Sequence, residues 1–225
     1  MKKTIQIIGL IIGLTALLII SIQAQVGESL LQKTARAGAL NNQAVDLLDA
    51  GKFEEAIKLL REAIGLRPDY TTAYGNLGAA FYRTGQIPEA IAALKKAIEL
   101  KSDYAQNYNN LGAIYAEAGR TDEAVALFER AIEVRPDFAL AYYNLGCVYI
   151  RLKKSKKAIS SIKQVVRLQP QNANARFLLG RLYLLERDKQ SAQLQYKTLT
   201  TLNPMLAQKL YMSIYADMLI IATEK

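Results

Sequence analysis

Four asparagines recur at one spacing: Asn42, Asn76, Asn110 and Asn144 stand 34 residues apart. A primary amide carries both donors and an acceptor, so a ladder of them can pair with the backbone of an extended peptide whatever its side chains. The same amides can equally bond to neighbouring parts of their own chain. A second chemical feature is cationic. Lys153, Lys154, Lys156 and Lys157 flank Ser155, in a stretch that also holds Arg151, Lys163 and Arg167. Such a cluster is either a solvated edge or a contact for anionic headgroups or an acidic partner. Residues that usually carry covalent or acid–base chemistry are scarce. The 225-residue chain has no histidine and a single cysteine, Cys147, which excludes an internal disulfide and a zinc cluster built from cysteine pairs. The sequence contains no phosphate loop, G-x-S-x-G elbow or dinucleotide fingerprint. The expectation is a protein that is not an enzyme, with no cofactor, no bound metal and no small-molecule substrate. Cys147 reads as a small, half-buried apolar residue rather than a reactive thiol.

The elements that position these residues follow from the same period. Five copies run over 37–70, 71–104, 105–138, 139–172 and 173–206. Gly78, Gly112, Gly146 and Gly180 return at the eighth position, with Ala44 in the first copy. Ala56, Ala90, Ala124, Ala158 and Ala192 return at the twentieth, and Pro68, Pro136, Pro170 and Pro204 at the thirty-second. Each copy reads as two helices. In the third, Tyr108, Leu111, Gly112 and Tyr115 share one face, and Ala124, Leu127, Phe128, Ala131 and Ile132 share another. Gly119 ends the first helix in the left-handed conformation, Asp122 and Glu123 suit the next helix's first turn, and Pro136 stops it. The small residues let two antiparallel helices approach closely. A fixed period of this length marks stacked units that cannot bury their apolar faces alone.

At these residues the chain resembles the tetratricopeptide-repeat (TPR) family, in register from Ala37 to Leu206. The resemblance implies an all-α, right-handed solenoid of five helix-turn-helix repeats. Some positions depart from the pattern. Ser102 replaces the terminal proline of the second copy, and Gln43 the usual leucine of the first. Lys153 and Arg187 replace the turn glycine, where a left-handed backbone costs a side-chain-bearing residue about 1 kcal/mol. That opens those two turns to another geometry. After Leu206 no sixth glycine appears, but Leu210, Ile214, Met218 and Ile221 keep helical spacing. Residues 207–225 are therefore expected to form a capping helix and tail over the last copy; the alternative is a partner-binding helix.

The amino terminus is a separate object. Lys2 and Lys3 precede an uncharged run from Ile5 to Ile22, with Ala24 as a place to cut. Residues 1–24 are either a signal peptide or an uncleaved membrane anchor, and 25–36 a tether or lead-in helix. Both readings put the repeats in an exported, extracytoplasmic location (the periplasm, in a Gram-negative bacterium), secreted or anchored. Charge is uneven along the copies. The third has three basic residues against six acidic, the fourth seven against none, and the fifth five against two. No aromatic platform accompanies the lysines, so nucleic acid is not an expected partner.

In the TPR family the first helix of each copy lines a concave groove, and the resemblance places Asn42, Asn76, Asn110 and Asn144 there. They are similar to the asparagine ladder in the TPR superhelix of O-linked N-acetylglucosamine transferases, whose catalytic domains have no counterpart here. No Lys or Arg stands at the second, fifth or sixth positions, so a carboxylate clamp is not expected at them. Towards the end of the chain the groove turns apolar, through Leu140, Tyr143, Ile150, Phe177, Leu178, Leu184 and Leu185. Either a hydrophobic partner segment docks there or the terminal helix folds over it. The expected function is a scaffold that binds another protein or peptide, with Asn42, Asn76, Asn110, Asn144, Tyr143 and Phe177 as the peptide site. The four turn lysines would be an anionic contact, including an anionic membrane surface. The second reading is a structural or assembly subunit of an envelope complex.

Overall fold

The computed structural model describes residues 29–223, with side chains described through Tyr215. The expected signal or anchor over 1–24 lies outside the described residues. Helix α1 runs over 29–49, so residues 29–36 of the expected lead-in segment join the first helix of copy one without a break. Four further first helices, α3 (Thr71–Arg83), α5 (Ala105–Glu117), α7 (Ala139–Arg151) and α9 (Ala173–Leu185), begin 34 residues apart. The second helices are α2 (Phe53–Leu66), α4 (Ile87–Leu100), α6 (Thr121–Val134), α8 (Ser155–Leu168) and α10 (Lys189–Leu202), and α11 (Pro204–Thr223) comes last. No strand occurs among the described residues. None of their helices is long and apolar enough to cross a membrane.

Two compact units divide the chain between Leu100 and Lys101. In the first, α3 packs against both α2 and α4. Ala56, Leu60, Ala63, Ala90, Leu94 and Ala97 are fully buried there. The second unit repeats the arrangement through α5 to α11, each helix packing on its neighbour in sequence. Its fully buried side chains include Ala124, Ala131, Ala158, Ile162, Ala192, Leu199 and Leu210. Close approach explains the eighth-position glycines. A Cβ at Gly78 would sit 2.6 Å from Leu94, one at Gly112 2.9 Å from Phe128, and one at Gly146 2.6 Å from Ile162. Each of those neighbours lies on the second helix of the same copy.

Two departures from the sequence pattern resolve simply. Helix α4 ends at Leu100, in register with the other second helices, although Ser102 supplies no proline. At the inter-helix turns, Gly51, Gly85 and Gly119 have φ of 75–77°, and Lys153 and Arg187 adopt the same left-handed state at 57° and 61°. The other geometry to which the sequence opened these turns is not used. The turn's own hydrogen bonds hold the conformation. Lys154 N–H donates to the Tyr149 carbonyl at 2.9 Å and Asp188 N–H to that of Tyr183 at 2.8 Å, as Arg120 N–H does to Tyr115.

Helix α11 closes the second unit. Leu210 is fully buried and Ile214 nearly so, in a cluster with Ala192, Leu199 and Ala207. A Cβ at Gly180 would lie 2.5 Å from Leu210, so in the fifth copy the residue over the glycine comes from the terminal helix. Gln193 donates to the Tyr215 hydroxyl at 2.9 Å, and Tyr211 stacks obliquely between Tyr196 and Tyr215. The terminal helix is a cap.

Candidate functional site

The asparagines do not form a uniform ladder. Asn76 Nδ2 donates to Asn41 Oδ1 at 3.0 Å, and Asn144 Nδ2 donates to Asn109 Oδ1 at 2.9 Å. Both acceptors are nearly buried, at 4% and 3% exposure. These bonds join the sixth position of one copy to the fifth of the copy before it. Asn110 instead accepts from Gln106 Nε2 on its own helix at 2.7 Å, and Asn42 is exposed. The residues that sequence reasoning missed are Asn41 and Asn109. Their signal was present, because only the doublets Asn41-Asn42 and Asn109-Asn110 place an amide 35 residues before the asparagine it serves. Asn107 is a further oddity. It stands where Ala73, Ala141 and Ala175 are fully buried, and its own buried Nδ2 has no hydrogen-bond partner among the described residues.

The apolar residues come together within the second unit. Ile150, Leu178, Arg181, Leu182, Leu184, Leu185 and Ser213 line a cavity of about 380 Å³. Leu185 is 69% exposed, well above what a core position would allow. Ser213 belongs to α11, so the terminal helix borders this cavity. Phe177 and Leu184 pack against the terminal cluster. Arg181 supplies the one cation lining the cavity, with its guanidinium 6.0 Å from the Phe177 ring centroid. A smaller hollow of about 240 Å³ is lined by Leu140, Tyr143, Val165, Asn172 and their neighbours, and Leu140 is 46% exposed. Burial pushes the Cys147 thiol above its ordinary range, against smaller opposing pulls from Tyr143 and Arg151. Burial also raises the Tyr143 phenol, with Cys147 adding to it. A raised thiol holds less thiolate, the nucleophilic form, and Cys147 is half-buried.

Family models of the tetratricopeptide repeat match residues 41–105 and 145–204, and a second one matches 103–171. The chain belongs to the tetratricopeptide-repeat family. Solved TPR-type structures are similar along most of their length. PilF of Pseudomonas aeruginosa has a TM-score of 0.73 at 23% identity, over 83% of this chain and 86% of that one. MamA of Desulfovibrio magneticus RS-1 gives 0.65 at 22% identity, over 76% and 96%. YrrB, described as a TPR protein with an unusual peptide-binding site, gives 0.60 at 21%, over 76% and 89%. Likeness at this identity shows the fold alone. No curated protein sequence matches the chain. A TPR fold is an interaction scaffold for other proteins or peptides, built from surface rather than from catalytic groups.

Lys153, Lys154 and Lys156 lie apart from both hollows, whereas Lys157 lines a third, of about 500 Å³, with Glu129, Glu133 and Tyr149. Lys153, Lys154, Lys156 and Lys157 are all exposed. Lys156 and Lys157 occupy the first turn of α8, which has no acidic residue there. A cation at a helix amino terminus opposes the macrodipole and costs about 0.3–1 kcal/mol. Lys157 is partly engaged, with its ammonium 5.3 Å from the Tyr149 ring centroid.

Proposed function

We propose that this TPR protein is an exported scaffold that holds an extended segment of a partner polypeptide along its first helices. The observation that carries the reading is the apolar cavity beside Leu185, which leaves that leucine 69% exposed at its rim. Arg181 in that cavity favours a segment that pairs apolar side chains with one acidic group. Among the asparagines, Asn42 and Asn110 are the ones whose amides are not taken up by a bond between copies. Asn76 and Asn144 hold neighbouring copies in register and shape the surface indirectly. YrrB, a TPR protein with a peptide-binding site, gives peptide binding a precedent within the fold.

Peptides selected from a displayed random library on the full-length protein test this. Enriched sequences should be apolar with an acidic residue. Leu185→Asp should weaken them at least tenfold, because burying one leucine contributes about 1.5–3 kcal/mol. Its helical melting curve should not move, since the side chain is exposed. Selected peptides that bind Leu185→Asp as well as the parent would sink the proposal.

A further inference from the structure

Helix α8 breaks two local rules within a few residues, each time with lysine. Helices α2, α4 and α6 open on acid, with Glu54 and Glu55, Glu89, and Asp122 and Glu123. Helix α8 opens on Lys156 and Lys157. The turn before it holds Lys153 left-handed, where copies one to three place glycine. Both choices work against the fold: backbone hydrogen bonds hold the left-handed turn and Lys157 leans on the Tyr149 ring, but no ion pair among the described residues answers the lysines. Among the described residues, ion pairs tie Arg120 to Glu123 and Arg130 to Glu133 in the third copy. None involves any of the seven cations of residues 139–172. Cations that oppose their own helix's dipole with no ion pair to answer them point to a role outside the fold.

Their placement says which role. Lys156, Ser160, Lys163 and Arg167 succeed one another at four, three and four residues, on one exposed stripe of α8. At ~1.5 Å per residue the stripe is about 16 Å long, and Lys153 and Lys154 extend it into the turn. No exposed aromatic or aliphatic side chain interrupts it. A specific protein interface needs a buried anchor and is depleted in lysine. A headgroup layer needs only exposed, unpaired, flexible cations along one side. We infer that this face of α8 and its leading turn form an electrostatic contact for an anionic lipid surface. The uncharged run from Ile5 to Ile22 behind Lys2 and Lys3 gives the same chain a second membrane-directed feature. The inference is independent of the groove reading.

Acetylation footprinting of the full chain tests it, because the readout is local to each lysine and insertion of the amino-terminal segment cannot mimic it. On phosphatidylcholine vesicles containing phosphatidylglycerol, Lys154, Lys156 and Lys163 should be acetylated several-fold more slowly than on phosphatidylcholine alone. The exposed Lys58 and Lys95 should not change. Protection should vanish near 1 M salt, where the screening length is about 3 Å. The variant Lys153→Gly with Lys156→Glu and Lys163→Glu should lose protection at Lys154 yet melt no lower than the parent, because two of its changes restore the pattern of copies one to three. Equal acetylation on both vesicles would overturn the inference, as would full protection in the variant. Protection by polyglutamate without protection by the anionic vesicles would also overturn it, and would give the ridge to an acidic polypeptide.

Discussion

Lys153 and Arg187 hold a backbone state that three other copies assign to glycine, which makes the cost of a side chain there measurable. The left-handed conformation costs a residue with a Cβ about 1–2 kcal/mol. Glycine in its place gives back about 0.4–1 kcal/mol through its freer unfolded chain. The strain is the larger of the two. Lys153→Gly and Arg187→Gly should therefore each stabilise the protein, by about 0.5–1 kcal/mol in urea unfolding, and Gly119→Lys should destabilise it. A loss of stability in both glycine variants would show that glycine's freedom in the unfolded chain outweighs the left-handed strain. The sequence showed where the strain would fall but not whether the turn would yield. That depended on the bonds from Lys154 and Asp188 back into the preceding helix, which outweigh a penalty of this size.

Helix positions were legible because every start and stop repeats a local signal. The missing proline at Ser102 changes nothing, since apolar register alone ends α4 at Leu100. Pairing between elements was less legible. The bonds from Asn76 to Asn41 and from Asn144 to Asn109 need residues from two copies at once, so a reading of one position at a time misses them. Leu210 is the same case. Its spacing marked a helical face, and the structure adds that it fills the slot over Gly180, which Leu94, Phe128 and Ile162 fill over the glycines of copies two to four. In the fifth copy the corresponding residue is Tyr196, and it packs against the terminal cluster instead. Truncating a fully buried leucine costs about 2–5 kcal/mol. Leu210→Ala should lose that much in urea unfolding, while Leu194→Ala, 62% exposed, should stay within about 0.5 kcal/mol of the parent. If the two variants melt alike, α11 is an appendage and not a cap.

At the scale of the whole chain, charge and hydropathy separate along the sequence. The uncharged run from Ile5 to Ile22 comes after Lys2 and Lys3, residues 37–138 hold more acidic than basic residues, and the large basic excess falls in 139–206. Positive charge flanking an apolar segment stays on the cytoplasmic side during insertion, so the chain on the carboxy-terminal side of the segment crosses. That orientation underlies the proposed export. It is also the condition under which the cationic stripe of α8 would meet an extracytoplasmic leaflet. The segment is long enough to serve either way: Thr4 to Ala24 makes 21 residues, and about 20 cross a bilayer. The two outcomes differ in one measurable product. If the segment is cut, the mature protein from its native host should begin at Gln25 on amino-terminal sequencing and leave the membrane fraction in high salt. If it is retained, Met1 should be recovered from that fraction and only detergent should release it. In either case an external protease should reach the repeats once the outer barriers are opened and the inner membrane is left intact. Full protection of the repeats under those conditions would place them inside the cell and end the export proposal, whatever the state of the amino terminus.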